Sequence, residues 1–191
     1  TARHPDLRRH LTAVGLSPDE MLQRARPVAF VDLVYEGNTF ARLNNVLWTW
    51  WREAHADEDA LLDKLRFIGI TWSQKTSPKT WRWQQHASWT RRYRARAIRN
   101  VSIPGRLWHY LGDEQDKVAS SNPPWRWGSE KAARPPRGEK HQRALRRALS
   151  LYEQGMSKEA RLSFCRFLTA QSALRHAWFR GLVTELRRSP K

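Results

Sequence analysis

Apolar residues recur at helical spacing over most of this chain. Asp6 to Val14 forms a short amphipathic segment ended by Gly15, and Ser17-Pro18-Asp19-Glu20 supplies an N-cap with proline at the first helical position, opening a segment that runs to Arg26. Together they predict an αα-hairpin. Pro27 to Tyr35 fits either a helix or a buried strand, because so short an apolar run cannot discriminate between them. After the turn Gly37-Asn38-Thr39, residues Phe40, Leu43, Leu47, Trp50, Trp51 and Ala54 fall within a stripe of about 100°, which predicts an amphipathic core helix. Asp57-Glu58-Asp59 places carboxylates where a helix dipole favours them, with Leu61, Leu62, Leu65 and Ile68 as the apolar face that follows. Ser77-Pro78 signals another start, and Lys79 to Asn100 reads as helix by spacing until Val101-Ser-Ile-Pro104-Gly105 breaks it.

Residues 113–138 contain Ser120-Ser-Asn-Pro-Pro124 and Arg134-Pro-Pro-Arg-Gly138 with little periodicity, and read as a Pro-rich linker or long loop. Beyond it, Leu145, Ala148, Leu149 and Tyr152, then Ala160, Phe164, Phe167 and Leu168, then Leu174, Trp178, Leu182 and Leu186 mark three successive helices. The expected fold is therefore all-α, a helical bundle: a helical domain at 1–112, a linker at 113–138 and a three-helix unit at 139–191.

Charge changes the picture from architecture to partner. Among 191 residues, 35 Lys and Arg stand against 18 Asp and Glu, a net charge of +17. Residues 1–60 hold 7 basic and 9 acidic groups, 61–112 hold 11 and 1, and 113–191 hold 17 and 8, with Asp63 the single carboxylate between Leu61 and Gly112. Such asymmetry points to a polyanion, and the 40% of apolar residues are enough for a core beneath it. One cysteine excludes an internal disulfide and fits a reducing compartment. The uncharged run Leu43–Trp51 spans 9 residues, about half of the roughly 20 that cross a bilayer, and the N-terminal residues show no apolar signal region. A cytoplasmic protein without a membrane role is expected.

The segment Trp81 to Asn100 interleaves aromatic rings with Arg82, Arg91, Arg92, Arg94, Arg96 and Arg99. Guanidinium groups pair with phosphate and release counterions, while indole and phenol rings offer faces on which unpaired bases stack. Lys75, Lys79 and these arginines are the expected phosphate contacts, Trp83, Trp89 and Tyr93 the stacking candidates, and Arg143, Arg146 and Arg147 a second basic face. The arginines point in nearly all directions on a helical wheel, so a helix here would need a groove, a second domain or a ligand to stabilise it.

Leu61 to Gln84 has the apolar-glycine-apolar spacing of a helix-turn-helix around Gly69, with Ser77-Pro78 interrupting the second helix. A second such match surrounds Gly15. Trp-x-Trp occurs at 48/50, 81/83 and 125/127, and in an extended chain Trp125 and Trp127 would share one side. Tyr152-Glu-Gln-Gly155-Met-Ser-Lys-Glu-Ala160-Arg-Leu-Ser-Phe164 resembles the centre of a tetratricopeptide repeat; it covers one helix hairpin and does not recur, and it implies helix-pair packing of the kind that binds proteins.

Catalytic and metal signals are poor. The histidines never form H-x-x-x-H, Cys165 has no cysteine partner, and neither a phosphate-binding glycine loop nor a nucleophile elbow occurs. The residues thus lead to a non-catalytic nucleic-acid-binding protein, DNA favoured over RNA, with no metal or cofactor. Two alternatives follow: a helical subunit of a larger nucleoprotein complex that meets protein partners through tryptophan-rich surfaces, and a metal-independent nuclease using His86 or His109.

Overall fold

Helix α1 (Pro5–Ala13) starts on a proline and buries Leu7 and Leu11. Helix α2 (Pro18–Gln23) opens with a complete capping box, in which the Ser17 hydroxyl accepts from the Glu20 amide and the Glu20 carboxylate accepts from Ser17. The chain then enters strand β1 (Val28–Leu33), so the run left open between helix and strand is a strand. Helix α3 (Asn38–Glu53) follows its apolar stripe inward and buries Phe40, Val46, Leu47 and Trp51. Asp57 caps helix α4 (Glu58–Asp63), its carboxylate accepting from the Ala60 amide at 3.0 Å.

The all-α expectation fails, since β1 is followed after α4 by two further strands and the fold is mixed α/β. Leu65–Trp72 is a strand, β2, and Ile98–Ile103 is a third, β3. They form a parallel sheet of order β1-β2-β3, with Val28 opposite Leu65 and Phe67 opposite Ile98. The step of four from Leu61 to Leu65 mimics a helical face, but the pattern from Leu65 onward has period two. Leu65, Phe67, Gly69 and Thr71 are buried on one face, and Arg66, Ile68, Ile70 and Trp72 are half-buried on the other. Phe67, Ile68, Ile70, Thr71 and Trp72 are also β-branched or aromatic, the types that fit a pleated surface. Gly69 therefore lies mid-strand, which removes the turn that the helix-turn-helix comparison around it required.

The sheet described by these strands belongs to the first of two compact units, Thr1–Pro135 and Pro136–Lys191. This computed structural model describes residues 4–74, 78–118, 123–128 and 137–188. In the first unit, Phe67 is the hub of the core, with ring centroids of Phe30, Phe40, Trp89 and Tyr93 at 5.9, 5.3, 5.0 and 5.3 Å. The opposite sheet face receives helix α7 (Gly105–Gly112), whose Trp108 lies nearly parallel to Trp72 at 6.3 Å. Gly105 makes this approach possible, since a Cβ there would stand 2.2 Å from the Trp72 indole nitrogen.

The expected helix over 79–100 is replaced by two single turns, α5 (Pro78–Trp81) and α6 (Trp83–His86), then 3-10 turns at Ser88–Arg92 and Ala95–Ala97, then β3. Trp83, Tyr93 and Ala97 are buried and Trp89 is half-buried with them, so the segment is tied down by rings at irregular intervals. Of the expected linker, residues 123–128 form a short 3-10 turn from which Trp127 packs on the core, whereas Trp125 is 69% exposed. The turn thus separates the two rings. Residues 119–122 and 129–136 lie outside the described residues.

The second unit contains helices α8 (Glu139–Met156), α9 (Lys158–Thr169) and α10 (Ala177–Arg187), with a 3-10 turn at Ser172–Arg175. Cys165 and Leu168 of α9 pack on Phe179 and Val183 of α10. Arg161 ties the helix ends together, donating from Nε to the Met156 carbonyl at 3.2 Å and from Nη1 to the carbonyls of Leu186 and Arg188.

Candidate nucleic-acid interface

The buried rings explain how so many arginines can be displayed on a short segment. Trp83 is fully buried, donates its indole N–H to Asn100 Oδ1 at 2.8 Å, and lies against Gly37 and Gly69. Thr90 closes the next turn by donating its hydroxyl to the carbonyls of Ala87 and Gln84 at 2.7 and 3.1 Å. Tyr93 donates its phenol O–H to Asn44 Oδ1 of α3 at 2.6 Å, and burial pushes that phenol's pKa up, the nearby Arg92 charge opposing. Around these fixed points and before the buried Ala97, Arg91, Arg92, Arg94 and Arg96 are all exposed.

Three of these arginines have defined settings. The Arg92 guanidinium lies 4.4 Å from the centroid of the Trp48 ring on α3. Arg94 and Arg96 converge on the two oxygens of Asp63, at 3.3 and 3.8 Å, with side chains 67% and 58% exposed. These are open, solvent-screened ion pairs that orient the guanidinium groups more than they stabilise the fold. Arg82 is separate: its guanidinium lies 3.7 Å from the Trp81 ring centroid. Neither Trp48 nor Trp81 is marked as an arginine support by the sequence, because both contacts depend on how the fold places the rings. The signal for Asp63 was present in its isolation among eleven basic residues.

The other sequence-predicted residues are distributed differently. Trp83 and Tyr93 are buried in the core and Trp89 is half-buried against it, so no ring face of Trp83 is open to a base. Arg99 pairs in register with Ile68, so it lies on the sheet face opposite the one that Trp83 and Asn100 address. Lys79 belongs to α5, and Lys75 lies outside the described residues. Arg143 and Arg146 are exposed and Arg147 half-buried on α8, in the second unit.

A recess of about 270 Å³ opens beside the carboxyl end of β1, lined by Glu36, Asn38, Trp83 and His86. Near the end of β1, desolvation by burial raises the pKa of Asp32 against the opposing hydrogen bonds from the Thr39 side chain and the Leu33 backbone. A carboxyl group whose folded-state pKa is raised favours the protonated form, so its contribution to stability is present at low pH and is lost as pH rises through that pKa. Asp32→Asn, which retains an acceptor for Thr39, is therefore expected to raise the melting temperature near neutral pH. Melts from about pH 3 to about pH 7 should show the gain shrinking towards the acid end. A gain that is the same at every pH would refute burial of charge as its origin.

His86 lines the recess beside Trp83, whereas His109 packs edge-on against Trp72 and Trp108 and contacts Asp113 at 2.8 Å. That contact holds the Asp113 carboxyl below the usual range. The two histidines therefore do not converge on one site. Among the described residues, no group of three His, Cys, Asp or Glu side chains could hold a metal ion, and no helix is long and apolar enough to cross a membrane. Compared with known proteins, the chain matches no family model, no curated sequence and no solved structure.

Proposed function

We propose that this protein binds nucleic acid non-catalytically by gripping backbone phosphates, with duplex DNA the favoured ligand. The observation that carries the reading is the display of Arg91, Arg92, Arg94 and Arg96 on a segment anchored by Trp89 and Tyr93. Anchoring lowers the ordering cost of binding, because the backbone bearing the guanidinium groups is already fixed. Core burial of the rings favours ligands presenting ordered phosphates over ligands presenting unpaired bases. A cytoplasmic setting fits the single buried thiol, Cys165.

Fluorescence anisotropy with labelled duplex DNA, single-stranded DNA and RNA tests this directly. For four phosphate contacts, duplex affinity should drop roughly a hundredfold between about 0.05 and about 0.2 M salt. Absence of binding to all three, or binding insensitive to salt, would overturn the proposal. Membership of a larger nucleoprotein complex that meets protein partners through tryptophan-rich surfaces is a second reading, supported by the exposed rings of Trp125 and Trp178.

A further inference from the structure

Helix α8 is strongly amphipathic, yet none of its residues is buried. Leu145, Leu149, Tyr152 and Met156 follow one another at steps of four, three and four, the spacing of a coiled-coil seam, and are 71%, 53%, 63% and 37% exposed. The neighbouring helices do not cover this seam: α9 and α10 direct Cys165, Leu168, Phe179 and Val183 at each other and leave Phe164, Phe167 and Trp178 exposed as well.

We propose that the seam is covered by a second copy of this chain, with α8 packed antiparallel on α8 of that copy. In an antiparallel pair, Leu145 of one copy faces Met156 of the other and Leu149 faces Tyr152, so the four apolar residues complete their own layers about a two-fold axis. The flanking positions also match. Arg146 and Glu153 each follow a seam residue, Leu145 and Tyr152, and therefore lie on one side of the stripe at equivalent heptad positions. Antiparallel pairing brings Arg146 of one copy to Glu153 of the other, and symmetry repeats the pair. Parallel pairing would instead set Arg146 against His141 and Glu153 against Ala148, leaving both charges without an opposite partner.

The opposite flank supports the same arrangement. Ala148 and Gly155 lie there, and in the antiparallel pair they face each other, allowing the helix backbones to approach closely. Gly155 stands in the last turn of α8, and a Cβ on it would meet nothing within 4 Å in a single chain. The single chain thus gives Gly155 no packing role, whereas the paired helix does. Lys140 and Arg143 project away from the seam by helical angle, so they do not confront their counterparts across it.

Sedimentation velocity of the full chain, freed of nucleic acid at about 0.3 M salt to screen the repulsion between two +17 molecules, tests the pairing. A concentration-dependent monomer–dimer equilibrium is expected. Leu149→Asp should abolish it with unchanged circular dichroism and melting temperature, because Leu149 is exposed in the single chain. Arg146→Glu alone and Glu153→Arg alone should each weaken self-association roughly tenfold, and an equimolar mixture of the two variants should recover it as a heterodimer. A wild-type chain that stays monomeric at every concentration overturns the proposal, including the case in which the monomer instead takes up an acidic peptide or an anionic vesicle. A dimer indifferent to Leu149→Asp overturns the seam, and failure of the mixture to recover overturns the antiparallel register.

Discussion

Trp83→Ala is expected to destabilise the first unit by about 3–5 kcal/mol, the range for removing a large buried aromatic side chain and leaving most of its cavity behind. The indole is fully buried, with ring centroids of Phe40 and Trp89 at 5.5 and 6.1 Å. Its loss would also leave Asn100 Oδ1 without its 2.8 Å donor, while the remaining Asn100 amide still donates to Gln84. Trp83→Phe should recover part of the loss, restoring apolar volume without the hydrogen bond. Urea denaturation followed by circular dichroism measures both variants. An alanine variant as stable as wild type, yet unable to bind single strands, would return Trp83 to the role of a base-stacking ring.

The second large effect concerns ligand affinity. Replacing Arg94 and Arg96 together by alanine should lower the salt slope of duplex binding by about two and weaken binding roughly fiftyfold near 0.1 M salt, about eightfold for each phosphate contact removed. The fold should be untouched, since both side chains are mostly exposed and their shared Asp63 contact is open to solvent. The loss should be uniform across duplex sequences, as expected of contacts that address the backbone and not the base edges. Anisotropy titrations over a salt series, with melting temperature as a control, separate this from misfolding. An unchanged slope would show that the phosphates lie elsewhere, with Arg143, Arg146 and Arg147 as the next group to vary.

Helices were legible where their capping chemistry and apolar periodicity agreed. Ser17 with Glu20, Asp57 before α4 and the stripe of α3 all mark local features whose partners lie within a few residues. The strands were less legible because β2 inherits a helix-like step from Leu61, and β3 emerges from arginine-rich sequence with little alternation of its own. What makes Ile98–Ile103 a strand is the available edge of β2, a contact distant in sequence. The arginine segment carried a correct warning in its lack of an apolar stripe. Its resolution, anchoring by Trp83, Trp89 and Tyr93 across 3-10 turns, depends on the ring cluster around Phe67 and has no periodic signature. The charge supports were half legible: Asp63 stands out by isolation, whereas Trp48 is indistinguishable from the other tryptophans of α3 until the fold places Arg92 above it.

The sheet's order also governs how the chain reaches this state. Both neighbours of β2 arrive across long connections, Val28 to Leu65 on one side and Phe67 to Ile98 on the other, whereas the helices of the second unit contact close sequence neighbours. Distant pairing is slow to form, because the connecting chain must be ordered before any pairing is gained. Until both edges are in place, Leu65–Trp72 is an eight-residue apolar segment that is β-prone and free of proline, with Arg66 as its one charge. Such a segment is a template for pairing between molecules, and Arg66 is the gatekeeper that opposes it while the chain is still incomplete.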